Sequence, residues 1–264
     1  MITHFSHLDL NTVSVEAAKQ FYHDQLQFPI VTQSDREISF KPTEYFTLTF
    51  KQSFEPLAPA HIAFEVPYSE FANVYRQLRQ KNIHVLKWPD GKIVDDFGKG
   101  KNVYFRDGDG NLLEIITHNY IKEDVLSPSG ALKILYLREV GFPVDSVAEF
   151  RELLVQLFDF KLSNLSDDFT FAIGGTAHAV ISSKGRKWIP IAMTALPPCL
   201  SLKLGVTNPN FIDKVRTNLD NRSIHYEMKE ESELHFRVQG YHFILCPTDF
   251  SENIPYKLNL PYSR

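Results

Sequence analysis

Residues 14–28 read SVEAAKQFYHDQLQF and residues 146–160 read SVAEFRELLVQLFDF, so one pattern occurs in both halves of the chain. In both stretches the apolar residues follow helical spacing, which creates an apolar stripe that must pack against a sheet. Ser146 and Glu149 form a Ser-x-x-Glu capping box, which satisfies free amides at a helix start. The sequence therefore predicts a duplicated chain in which each copy carries this helix.

Each copy continues with strand and helix signals in the same order. In the first copy these are strands around 38–50 and 61–66, a helix from about 69 to 81, and strands ending near 114. In the second copy they are strands at 169–182 and 200–206, a helix capped by Asn208 with Pro209 at its first position, and strands ending at 243–246. The polar stretch 119–130 has neither helical nor strand periodicity and is predicted to be a linker. We therefore predict an α+β protein with modules at 1–120 and 131–264.

The composition is that of an ordinary globular protein, with 43% hydrophobic and 23% charged residues among 264. A formal net charge of -4 disfavours nucleic-acid binding. Strand-like sequence follows Met1 directly, and no run of about 18 apolar residues is present. We therefore expect a cytoplasmic protein that does not bind membranes. Cys199 and Cys246 are too few for a disulfide framework and are expected to be reduced.

Three residues in strand-like segments are the candidate metal ligands, namely His7, His61 and Glu114. Apolar residues alternate with other residues around each of them, as in half-buried strands whose side chains point to opposite faces in turn. Two neutral imidazoles and one carboxylate hold a divalent metal while leaving coordination positions open for substrate. The family resemblance described next implies that these residues bind one metal ion per chain.

The sequence around these residues resembles the vicinal oxygen chelate superfamily. This superfamily includes glyoxalase I, fosfomycin-resistance proteins, bleomycin-resistance proteins and extradiol ring-cleaving dioxygenases. The resemblance rests on the opening strand and helix, with Leu26, Gln27 and Phe28 where the family usually has Leu-Gly-Phe, and on residues 104–114, YFRDGDGNLLE. Gly108 stands where proline is usual. The resemblance implies two tandem βαβββ modules that pair into a sheet cup around the active site.

When the two copies of the repeat are aligned, the second module lacks two of the three predicted ligands. The equivalent positions are His7 with Glu139, His61 with Ser201, and Glu114 with about Ile244. The second module is therefore predicted to be degenerate and to lack a metal site. Within the family the first-strand ligand comes either from the same module or from its partner. If the modules swap, the ligands are Glu139, His61 and Glu114. We prefer His7 because the unswapped set uses two histidines and keeps the full pattern in one module.

Two residues near Glu114 are candidates for catalysis. Tyr104 shares the face of Glu114 if the intervening turn is regular, which would bring its hydroxyl toward a bound substrate. His118 has the same strand parity and is a candidate acid or base that supports the metal site. The remaining histidines considered, which lack matched partners and are predicted to be surface or packing residues, are His178, His225, His235 and His242.

The resemblance implies chemistry in which a metal chelates two adjacent oxygens of a small-molecule substrate. Extradiol dioxygenases use two histidines and one glutamate on Fe(II), so the ligand set favours an oxygenase-like, ring-cleaving enzyme with Fe(II) or Mn(II), with Zn(II) as a further possibility. An aromatic substrate fits the aromatic content of 13%. One alternative is a glyoxalase-type lyase or isomerase, which typically uses four protein ligands. Another is a bleomycin-resistance-type binding protein without metal. The protein is expected to be a monomer or a homodimer.

Overall fold

The computed structural model describes residues 1–229 and 232–262 and arranges them in two eight-stranded sheets. Within these residues the chain forms four successive βαβββ units. Each of the two repeats therefore contains a pair of such units. The predicted α+β class is confirmed.

The first repeat contributes the first and second units. The first unit consists of β1 (Ile2–Thr12), α1 (Val15–Lys19), β2 (Ile30–Gln33), β3 (Glu37–Thr43) and β4 (Phe46–Gln52). The second consists of β5 (His61–Glu65), α2 (Phe71–Gln80), β6 (Asp95–Asp96), β7 (Gly100–Arg106) and β8 (Leu112–His118).

The second repeat contributes the third and fourth units, and a short helix follows them. The third unit consists of β9 (Tyr136–Val144), α3 (Val147–Phe158), β10 (Lys161–Ser163), β11 (Phe169–Gly174) and β12 (Ala177–Ser183). The fourth consists of β13 (Leu200–Val206), α4 (Pro209–Asp220), β14 (Tyr226–Lys229), β15 (Glu233–Val238) and β16 (Tyr241–Pro247), and it is followed by α5 (Ile254–Lys257).

Each sheet combines one unit from each repeat. In the first sheet, with strand order β14-β15-β16-β13-β1-β4-β3-β2, strand β1 pairs antiparallel with β13. In the second sheet, with order β10-β11-β12-β9-β5-β8-β7-β6, strand β5 pairs antiparallel with β9. The first unit is thus joined to the fourth and the second unit to the third. Neither sheet is made by one repeat alone.

The helix starts predicted from capping residues are confirmed in the second repeat. The Ser146 side chain accepts a hydrogen bond from the Glu149 amide at the start of α3, and the Asn208 side chain accepts one from the Asn210 amide at the start of α4. The equivalent helix of the first repeat differs, because α1 continues as a π-helical turn over Gln20–Gln25. The wider turn buries Tyr22, whose hydroxyl donates to Asp107 at 2.7 Å.

The hydrophobic core lies between the two sheets and their helices. Phe64 of the second sheet contacts Phe28 and Phe46 of the first unit, and Phe142 of the second sheet stacks on Phe243 of the first. Because side chains alternate along a strand, the opposite face of each sheet is left for polar residues. In β5, for example, Ile62 and Phe64 belong to the core, whereas His61 and Glu65 face the other way.

The segment between the repeats is irregular but packed. Ile121 and Leu126 are buried against Phe250 and Leu258 near the end of the described chain. The division into modules at 1–120 and 131–264 remains a prediction. Across the described residues, no helix is long and apolar enough to cross a membrane.

Candidate metal centre

The candidate site lies on the polar face of the second sheet, where the second and third units meet. The pairing of β5 with β9 shifts in register so that Ala63 opposes Glu139 and Phe64 opposes Leu137. Arg138 is therefore the extra residue of a β-bulge. Because of the bulge, the neighbouring residues Arg138 and Glu139 both line the same cleft.

His61, Glu114 and Glu139 form the cluster that is able to hold a metal ion in the described part of the chain. The Nε2 atom of His61 lies 3.6 Å from a carboxylate oxygen of Glu114 and 3.6 Å from one of Glu139. One candidate ligand atom from each of the three residues lies within 4.8 Å of the other two. All three residues are buried.

The hydrogen bonds around the cluster orient its ligand atoms. His61 Nδ1 donates to the carbonyl oxygen of Leu112 at 3.3 Å, so the lone pair of the neutral ring is on Nε2, which faces the carboxylates. The Asn102 amide donates to Glu114 Oε1 at 2.8 Å and to the Tyr104 hydroxyl oxygen at 3.0 Å. These contacts prepare the imidazole and one carboxylate to act as ligands.

The electrostatics of the cluster favour a cation. Burial raises the pKa of Glu114 well above its usual range and nearby Glu139 raises it further, while Tyr104, Asn102 and the charge of Arg138 act in the opposite direction. The nearest guanidinium atom, Arg138 Nε, is 3.7 Å from Glu139 and has no hydrogen-bond partner. Two buried carboxylates beside a neutral imidazole are costly unless a positive charge compensates them. The donor set therefore fits a divalent metal.

Two of the three ligands predicted from sequence are brought together, and the third is not. His7 lies on β1 in the first sheet, opposite Lys203 and Thr47, and its Nε2 atom contacts Asp9 at 2.9 Å. Glu139 completes the cluster instead, so the residues assemble as in the swapped alternative. The physical reason is the strand pairing, because β5 has β9 as its neighbour and β1 lies in the other sheet.

His178 is a residue of the site that the sequence analysis assigned to packing. It lies on β12 directly opposite Glu139 in a parallel pair, so both side chains point to the same face. Burial lowers the pKa of His178 well below its usual value, and the nearby Arg138 and His118 lower it further. His178 is therefore held as a neutral imidazole beside the cluster.

Strand register defines four equivalent positions in each sheet. In the second sheet they hold His61, Glu114, Glu139 and His178, and in the first sheet they hold Ser201, Ile244, His7 and Thr47. Each position of the second sheet therefore carries a side chain that ligates metals, whereas the first sheet has only His7 of that kind. The register of β12 against β9 is the signal that would have found His178.

The predicted catalytic residues both face the cleft. Tyr104 lies directly opposite Glu114 in the pairing of β7 with β8. Burial raises the pKa of Tyr104 well above its usual value, and Glu114 and Glu139 raise it further, so the group stays a neutral hydroxyl. His118 lies four residues beyond Glu114 on β8, which places the two Cα atoms about 13 Å apart along the strand. Only Tyr104 is therefore next to the cluster.

The cleft has a volume of about 890 Å³ and runs from Glu114 and Glu139 past His118 toward Asn259 and Tyr262. The side near His61 is closed by aromatic residues. The Trp188 ring lies 5.3 Å from the His61 ring, and it belongs to an apolar cluster with Tyr104 and Leu112. A substrate would therefore enter from the end that contains His118.

Comparisons with known proteins agree on one family. A family model described as Glyoxalase/Bleomycin resistance protein/Dioxygenase superfamily matches residues 4–115. A metallothiol transferase FosB from Staphylococcus haemolyticus is 26% identical over 132 residues, which are 48% of this chain and 91% of that protein. A metallothiol transferase FosB from Staphylococcus saprophyticus is 27% identical over 122 residues, 44% of this chain and 78% of that protein.

Solved structures resemble the chain over almost its whole length. A putative dioxygenase from Bacillus subtilis has a TM-score of 0.67 and 15% identity, covering 98% of this chain and 92% of that chain. Glyoxalase I from Zea mays has a TM-score of 0.59 and 12% identity, covering 96% of each chain. At these identities the likeness concerns the fold.

Proposed function

We propose that this chain, which belongs to the Glyoxalase/Bleomycin resistance protein/Dioxygenase superfamily, is an enzyme that holds a divalent metal through His61, Glu114 and Glu139 and binds its substrate by two adjacent oxygens. The observation that carries the proposal is the pair of buried carboxylates facing one imidazole Nε2 atom. Such a pair has little reason to be buried together without a cation. A function as a metal-free binding protein explains this buried pair of carboxylates less well.

The roles of the surrounding residues follow from their contacts. The amide of Asn102 and the carbonyl of Leu112 fix the orientations of Glu114 and His61, and His178 lies opposite Glu139 and lines the same cleft. A divalent metal bound there would act as a Lewis acid that acidifies the group it chelates. Fe(II) and Mn(II) are our first choices, and Zn(II) is also compatible with imidazole and carboxylate donors.

The reaction class that the ligands favour is proton transfer of the glyoxalase lyase or isomerase type. A ring-cleaving oxygenase was favoured by two histidines and one glutamate, whereas the cluster has one histidine and two glutamates. The ligands come from both units that meet at the site, as in the sharing of ligands between modules that is typical of glyoxalase I. Tyr104, a neutral hydroxyl beside Glu114, is placed to donate a hydrogen bond to a developing oxyanion.

A ring-cleaving oxygenase remains the second candidate function because aromatic side chains lie next to the cluster. Trp188 lies against His61, and Trp88 lies 6.2 Å from Tyr104. A planar aromatic substrate would stack well against such rings. We therefore keep an extradiol-type reaction on a catechol as the second candidate.

One experiment separates the two reactions. The protein, loaded separately with Mn(II), Fe(II) and Zn(II), is incubated with a series of 2-hydroxy ketones and hemithioacetals in deuterated water, and exchange at the carbon next to the oxygens is followed by NMR. The proposal predicts metal-dependent exchange that is lost in Glu139→Gln and retained in the matched variant Glu227→Gln on the protein surface. Oxygen consumption with catechols, without any exchange, would favour the oxygenase instead.

A further inference from the structure

His118 lies in the outer part of the cleft and belongs to a buried charged network, which meets the metal cluster at Arg138, whose Nε atom is 3.7 Å from Glu139. Its Nδ1 atom lies 3.0 and 3.2 Å from the two carboxylate oxygens of Glu65. Arg138 donates to the same carboxylate at 3.1 Å and to the Tyr120 hydroxyl at 3.1 Å. Glu65 is fully buried and Arg138 is 4% exposed, so neither group serves as a solvated surface charge.

This network determines which nitrogen of His118 is available. A carboxylate only accepts hydrogen bonds, so the proton of the neutral ring is held on Nδ1. Nε2 then carries the lone pair and has no hydrogen-bond partner among the described residues, although His118 lines the cleft. Arg138 donates to Glu65, so the buried carboxylate has a cationic partner.

The groups around the ring support a binding role. The Tyr120 ring lies 5.0 Å and the Phe97 ring 5.5 Å from the imidazole, which restricts its movement. Charged and titratable groups near the ring include Glu65, Arg138 and Tyr120, and Lys99 and His178 line the same cleft. The separation of about 13 Å from Glu114 along the strand places His118 too far away to take a proton from an oxygen chelated at the metal.

We propose that His118, positioned by Glu65 and Arg138, accepts a hydrogen bond from the outer end of the substrate. This inference rests on the proposed function, because it assumes that two adjacent oxygens occupy the inner end. The substrate class is then an elongated molecule with a pair of oxygens at one end and an O–H or N–H donor at the other. A cleft of about 890 Å³ is larger than a single small ring requires and suits a molecule of this length.

The binding test uses two catechols with the same three-carbon spacer between the ring and the terminal oxygen. 4-(3-Hydroxypropyl)catechol ends in a hydroxyl group, whereas 4-(3-methoxypropyl)catechol keeps the oxygen and loses the donor. The affinity of the Mn(II)-loaded full chain for each is measured by calorimetry under nitrogen. We expect the wild type to prefer the hydroxyl compound by about three- to tenfold, as for one hydrogen bond.

The variants assign that preference to the network. His118→Phe should bind both compounds equally, and Glu65→Gln should reduce the preference because the Nδ1 proton is no longer fixed. Glu233→Gln is the matched control, because Glu233 contacts His235 Nε2 at 3.0 Å in the first sheet, and it should keep the wild-type preference. Equal affinities in the wild type would overturn the inference. Failure of both catechols to bind the wild type would also overturn the inference, whereas the proposed function is tested separately by the deuterium-exchange experiment.

A second measurement needs neither a metal nor a folded variant. Nitrogen NMR of the metal-free wild type, at a pH where His118 is neutral, reports which ring nitrogen carries the proton. We expect the proton on Nδ1 and an unprotonated Nε2. A proton on Nε2 would contradict the positioning by Glu65, whatever the metal or the substrate proves to be.

Discussion

Glu114 lies in an environment that differs strongly from that of a surface carboxylate. It is buried, it lies opposite Tyr104, and it shares His61 with a second carboxylate, Glu139. A bound metal ion would compensate the negative charge that these carboxylates bring into the interior of the metal-free protein. The same residue therefore links stability to pH in the metal-free protein.

We expect the metal-free protein to lose stability as the pH rises. Burial raises the pKa of Glu114 above its ordinary value of 4.5, so the folded state keeps a proton that the unfolded state has released. This contribution is fully present below the unfolded pKa and is lost as the pH rises through the folded pKa. Urea unfolding of chelator-treated protein at about pH 5 and about pH 8 measures it. Glu114→Gln should show a smaller decrease, and equal decreases in both proteins would contradict this assignment.

The candidate site was predictable from the sequence only in part. His61 and Glu114 were found because each lies in an alternating strand pattern with a recognisable context. The choice between His7 and Glu139 depends on which strand pairs with β5, and strand periodicity contains no information about that neighbour. The position of His178 beside Glu139 was missed because it arises only from the register of β12 against β9.

At the scale of secondary-structure elements, capping and close approach determine local stability. The helices of the second repeat begin where their capping residues predict, because Ser146 and Asn208 supply acceptors in the first turn. The π-helical turn after α1 was not predictable, since it depends on burying Tyr22 beside Asp107. Local sequence determines where the helices of the second repeat begin, whereas tertiary packing determines the π-helical turn after α1.

Ser146→Ala should lower the free energy of unfolding by about 1 kcal/mol, as expected for the loss of a helix N-cap. The lost interaction is the hydrogen bond that the Glu149 amide donates to the serine hydroxyl. Urea unfolding measures the change, with Ser127→Ala, at an exposed position outside the helices, as the control. Equal stabilities of the two variants would show that the cap does not contribute.

Gly175→Ala should be more destabilising than Gly185→Ala. Both glycines have positive φ, +60° and +87°, so both substitutions carry a backbone cost. A Cβ atom on Gly175 would also lie 2.0 Å from the Thr3 carbonyl oxygen, whereas a Cβ on Gly185 meets nothing within 4 Å. We expect an additional loss of about 1–3 kcal/mol for Gly175→Ala. A smaller loss than for Gly185→Ala would mean that β1 and the β11–β12 turn separate without cost.

At the scale of the whole molecule, the exchange of units between repeats joins the two halves. Each sheet contains strands from both repeats, and the candidate ligands come from β5 and β8 of one repeat and β9 of the other. The duplication was visible in the helix pattern of the sequence. The pairing of units was not, because either pairing satisfies the same apolar periodicity.

The exchange predicts that the chain unfolds in one cooperative transition. If the repeat at 1–120 unfolded alone, both sheets would lose half of their strands and the core between them would be exposed. Calorimetry and urea unfolding, followed by fluorescence and by circular dichroism, should give coincident transitions. Two separate transitions, with one assigned to each repeat, would show that the halves are independent domains.

The central claim is that the metal site is assembled from both repeats, and metal stoichiometry in three purified variants tests it most directly. His61→Ala and Glu139→Ala should each lose the bound metal, because two ligands rarely hold a first-row ion against buffer. His7→Ala, which changes the equivalent position in the other sheet, should retain about one ion per chain. Loss of the metal in His7→Ala with retention in Glu139→Ala would contradict the claim.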